Sequence, residues 1–77
     1  MDETTGSLIW MLIARLERIS ADSVWAHRAS GVKGSLLRMV EKSEKGYRVR
    51  QSELWHTINL GFSILEAAAR EKNSPES

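Results

Sequence analysis

Cysteine is missing from this chain of 77 residues. Its absence excludes disulfides, thiolate metal sites and cysteine nucleophiles, which are the usual staples and reagents of small secreted domains. Proline occurs once, at Pro75, so nothing before the last few residues forces a helix to stop. Aromatic residues are few: three tryptophans, one tyrosine and one phenylalanine. The formal net charge of +1 gives no overall bias toward polyanions or polycations. No apolar run approaches the ~20 residues that cross a bilayer. The run that does exist, Leu8 to Ala14, is preceded by Asp2 and Glu3 and followed by Arg15 and Arg18. A secretory signal has its charges the other way round and a small-residue cleavage site behind them, so a cytoplasmic protein with no membrane contact is expected.

What the chain does have is an excess of apolar surface on one helix. A helix at a protein surface needs only an apolar stripe, whereas Leu8-Ile9-Trp10-Met11-Leu12-Ile13-Ala14 is apolar on every side. A domain of this size buries only about 60% of the surface its unfolded chain exposes, so covering such a helix completely is difficult. Either the rest of the chain wraps it, or a second copy or another protein does.

The periodicity predicts an all-α fold, a small bundle of three helices joined by short connectors and packed antiparallel in sequence order. Helix 1 is expected over 7–20, with Thr4, Thr5 or Ser7 as its cap and Leu8, Leu12, Leu16 and Ile19 in register. Asp22 or Ser20 is the candidate cap for a second helix over 22–42, kinked or broken at Gly31 and Gly34, since each glycine costs ~1 kcal/mol in a helix interior. Gly46 suits a left-handed helix end, Tyr47 to Arg50 reads as an extended connector, and Ser52 opens a third helix over 52–72. Residues 1–5 are expected to be a flexible lead-in, 6–72 a single domain, and 73–77 a disordered tail beyond which Pro75 forbids helix. The central stripes place Ile13, Leu16, Leu36, Ile58, Phe62 and Leu65 in the core.

Catalytic and ligand motifs are sparse. His27 and His56 lie on different predicted helices, and no HExxH or paired-histidine spacing joins them to Asp22, Glu53 or Glu66, so neither metal nor cofactor is expected. Ser30 stands three residues from His27, but a serine beside a helix break is a capping or turn residue. Gly31-Val32-Lys33-Gly34-Ser35 lacks the spacing of a phosphate loop and follows a helix instead of a strand. Its small residues, with Ala26, Ala29 and Ser30, offer a shallow surface on which a bulky side chain such as Trp10 or Trp55 can lie.

Charge is distributed unevenly. Residues 27–50 carry seven basic and two acidic side chains, while 1–26 and 51–77 each carry two basic and four acidic ones. The plain account is mutual neutralisation within the bundle. The functional one is a basic surface for nucleic acid, with Arg28, Lys33, Arg38, Lys45, Tyr47, Arg48 and Arg50 as contacts and Trp25 and Tyr47 able to stack on bases. A turn at Gly31 would set Ala26, Val32, Leu37 and Val40 at positions that are apolar in helix-turn-helix motifs. The nine residues Arg28 to Leu36 resemble the turn and recognition-helix start of tetracycline-repressor-type regulators. They depart from that pattern by one residue of spacing and by His27 in place of a small residue, and no family is assigned on them.

The expectation that results is a non-enzymatic interaction or regulatory module. It would self-associate, most simply as a homodimer, or dock on a larger protein, with Trp10, Met11, Ala14, Leu60 and Ile64 at the interface. Nucleic-acid binding is the alternative.

Overall fold

Asp2 starts the first helix. In the computed structural model, which describes residues 1–72, its carboxylate accepts a hydrogen bond from the Thr5 amide at 2.7 Å and caps α1, Glu3–Glu17. Thr4, Thr5 and Ser7, the expected caps, lie inside the helix, and residues 3–5 form its first turn instead of a flexible lead-in. An ionised aspartate is the better cap because it also meets the positive end of the helix dipole. The expected tail, 73–77, lies outside the described residues.

The connector 18–25 is held by serines. Ser20 Oγ accepts from the Asp22 amide at 3.2 Å and Ser23 Oγ from the Trp25 amide at 3.1 Å, local bonds that compete with helix and delay the start of α2 to Ala26. From there α2 runs unbroken over Ala26–Glu44, with no kink or break at Gly31 or Gly34. Two glycines do not end a helix whose Ala29, Val32, Leu36, Met39 and Val40 are all buried against neighbours. The end is at Gly46, whose φ of +88° allows the Tyr47 amide to reach the Lys42 carbonyl (2.9 Å) and the Gly46 amide that of Ser43 (3.1 Å). Residues 47–50 belong to neither helix nor strand, and α3 follows as Gln51–Lys72.

The helices run up, down and up. Glu17 at the end of α1 meets Lys33 on α2 at 3.7 Å, and Leu12 lies against Gly61, so α1 and α3 are parallel with α2 antiparallel to both. The core joins Ile9, Leu12, Ile13 and Leu16 to the buried face of α2 and to Leu54, Ile58 and Ile64. Leu8, Ile19, Trp25, Leu37, Val49 and Leu65 pack around it, partly covered. Among the described residues there is no strand, and no helix is long and apolar enough to cross a membrane.

Two expectations about the core are corrected. Phe62 is 39% exposed and Ile64, expected at an interface, is 2% exposed. The apolar residues of α3 cover so much of its circumference that periodicity leaves its rotation open. Gly61 decides it: α1 can approach closely only where α3 has no side chain, and turning Gly61 inward carries Ile64 in and Phe62 out.

Candidate interaction surface

Trp10 is 50% exposed and Met11 38%, although both sit in the middle of α1. Ala14, one turn on, is exposed as well, and Ser7 lies one turn before. Helical spacing puts these four side by side on the outer face of α1, away from the buried stripe Ile9, Leu12, Ile13 and Leu16. The described residues do not wrap this face.

The surface continues onto α3. Arg15 and Ile19 share a cleft with Leu65 and Ala69, which identifies the flanks of α1 and α3 that meet. Met11 lies four residues before Arg15, and Phe62 three before Leu65, so both sit one turn along the same seam. Trp55, 42% exposed and two turns before Phe62, lies on that flank too. Phe62 and Trp55 therefore add to the interface expected from the sequence, in which Phe62 belongs to the core stripe and Trp55 is a candidate to lie on the small residues of α2.

Leu60 and Ile64 do not belong to this surface. Leu60 is 41% exposed but lies on the opposite flank of α3, over a groove lined by Arg28, Gly31, Val32, Ser35, Thr57 and Ile64. Ile64 forms the floor of that groove and is part of the core. The small-residue surface on α2 is not filled by a tryptophan, since a β-carbon built at Gly31 meets nothing within 4 Å.

The basic residues are divided between the two ends of α2. Arg28 lies over the Trp25 ring at 5.6 Å from its centroid, and Lys33 pairs with Glu17, so both have local partners. Arg38, Lys45, Tyr47 and Arg48 converge with Lys42 and Glu41 on a cleft at the other end, and Arg50 follows beside Arg48. Lys42 was absent from the expected contacts; its i+4 spacing from Arg38 was the available signal. The turn that a helix-turn-helix needs at Gly31 is not there, since residue 31 is mid-helix.

A further cleft lies where α1 and the first connector meet the end of α3. Ile19, Leu65, Ala68 and Ala69 give it an apolar wall, Arg15 and Arg18 stand at its rim, and Glu71 Oε2 is buried there without a hydrogen-bond partner. No group of three or more metal-ligating side chains gathers among the described residues. His27 and His56 are exposed on separate helices.

No protein-family model, curated protein or solved structure matches this chain. The surfaces above therefore stand on their own chemistry.

Proposed function

We propose that the chain is a non-enzymatic protein-binding module whose partner is a second copy of itself, joined through the outer face of α1. The half-exposed Trp10 at the centre of that face carries the reading. Tryptophan and methionine are enriched at the centres of protein interfaces and costly to leave in water.

The order of residues on α1 favours a two-fold partner. An axis passing between Trp10 and Met11 makes the two helices antiparallel and sets Ser7 against the partner's Ala14. The same register sets Glu3 against the partner's Arg18. Small residues at 7 and 14 allow close approach, and the charges at the two ends attract. A parallel pairing would instead place Glu3 on Glu3 and Arg18 on Arg18, which repel. Phe62 and Trp55 extend the apolar area beyond α1, toward the ~800 Å2 per partner typical of specific interfaces.

Sedimentation velocity up to high micromolar concentration tests this. The parent chain should dimerise, and Trp10→Glu with Met11→Glu should return it to monomer with unchanged helicity. Glu3→Arg and Arg18→Glu should each weaken the dimer, and the two together should restore it. A parent that stays monomeric throughout, or a double charge exchange that fails to restore dimers, overturns the proposal.

A further inference from the structure

If the cations of residues 27–50 only balanced the acidic flanks, they would pair with carboxylates across the bundle. Among the described residues a single pair does so, Lys33 with Glu17. Arg38, Lys42, Lys45, Arg48 and Arg50 are all exposed and make no ion pair with any of the described residues. Among the described residues, the one side-chain hydrogen bond they make is Arg38 Nη2 donating to Ser35 Oγ at 3.2 Å.

The fold gathers these cations. Arg38, Lys42 and Lys45 follow one another at i, i+4 and i+7 along the solvent side of α2, a stripe about 10 Å long. The left-handed turn at Gly46 then brings Tyr47 and Arg48 back onto the cleft that the stripe lines. Tyr47 is 67% exposed, so its ring is available beside four cations. Glu41 lines the same cleft, Glu53 an adjoining one, and Glu44 lies on the last turn of α2. The carboxylates are outnumbered by the cations.

We propose that this end of the molecule binds single-stranded nucleic acid, with backbone phosphates on the Arg38–Lys42–Lys45 stripe and Arg48 and an unpaired base on Tyr47. Closely spaced cations beside an exposed aromatic ring match the alternation of phosphate and base along a single strand. A duplex hides its base faces, and the unbroken α2 supplies no recognition helix set off by a turn. An anionic membrane would meet the cations but leave the ring without its stacking partner.

The test is fluorescence anisotropy of a labelled oligothymidylate with the whole chain, beside a duplex of equal length and vesicles of phosphatidylcholine and phosphatidylserine. Neutralising three to four phosphates should weaken single-strand binding ~20–50-fold between about 50 and 200 mM salt. Tyr47→Ala should weaken it about five-fold or more at any salt while leaving the salt slope unchanged. Lys42→Gln with Lys45→Gln should flatten the slope by about 1.4. Arg15→Gln with Arg70→Gln removes the same charge elsewhere and should leave the affinity unchanged. Circular dichroism confirms that each variant is folded. The proposal is overturned by absent binding at low salt, by preference for the duplex or the vesicles, by an unaffected Tyr47→Ala, or by equal loss in the Arg15 and Arg70 variant.

Discussion

Leu12 occupies the space that a side chain on residue 61 would need: a β-carbon at Gly61 would stand 2.9 Å from Leu12 Cδ2 and 3.2 Å from its Cγ. Leu12 is fully buried, so it has nowhere to move. Gly61→Ala should therefore destabilise the fold, because overpacking costs about 1–3 kcal/mol and the helix-propensity gain recovers only about 1. In a Leu12→Ala background the same change should become stabilising. Urea denaturation of the four proteins measures the coupling, and additive effects would show that the helices are not in close contact there.

Gly31 and Gly46 should respond to alanine in opposite directions. Gly31 is mid-helix with open space around its missing β-carbon, so Gly31→Ala should stabilise by about 0.5–1 kcal/mol. Gly46 holds a φ of +88°, and Gly46→Ala should cost about 1 kcal/mol or more. Thermal melts of the two variants check the contrast.

Ile64 and Phe62 form a second contrast. Ile64→Ala removes a side chain that is 2% exposed and should cost about 2–5 kcal/mol, a large share of the stability of so small a domain. Phe62→Ala empties no core and should cost about 1 kcal/mol or less in the monomer. A reversed order in denaturant midpoints would mean that α3 is rotated the other way.

Asp2 makes helix α1 sensitive to acid. Bonds with the Thr5 side chain and then the Thr5 amide hold its carboxyl below the ordinary aspartate range. A lowered folded-state value means that its contribution is present above the unfolded-state pKa and is lost as pH falls through the folded one. Asp2→Asn keeps a capping acceptor but does not titrate. Its melting temperature should fall less than the parent's between pH 5 and about 2.

Much of the fold is legible in the residues themselves. The spacing of Leu12, Leu16, Leu36 and Ile58 is enough to mark three helices and most of their buried faces. Gly46 is enough to mark the end of α2, because a left-handed residue there satisfies otherwise free carbonyls. The exposed Trp10 and Met11 follow from the block Leu8 to Ala14, since two neighbouring helices cannot cover a whole circumference.

Other features depend on side chains distant in sequence. Thr4, Thr5 and Ser7 each offer a side-chain oxygen, yet Asp2 is the residue that caps α1, and Gly31 and Gly34 weigh against a helix that burial elsewhere along α2 sustains. The basic segment is continuous in sequence, yet Lys33 turns to Glu17 while Lys42 joins Arg38 and Arg48, a division set by which helix face meets which neighbour.

The sequence by itself determined the helical class, the number of helices and the apolar excess on α1, because these follow from local propensity and period, which each segment carries alone. Only the tertiary structure decided which glycine is the point of close contact, which of Phe62 and Ile64 is buried, and that Lys33 is the cation that pairs with Glu17. Each of those depends on the rotation of one helix against another, and that rotation is fixed by packing between side chains such as Leu12 and the gap at Gly61.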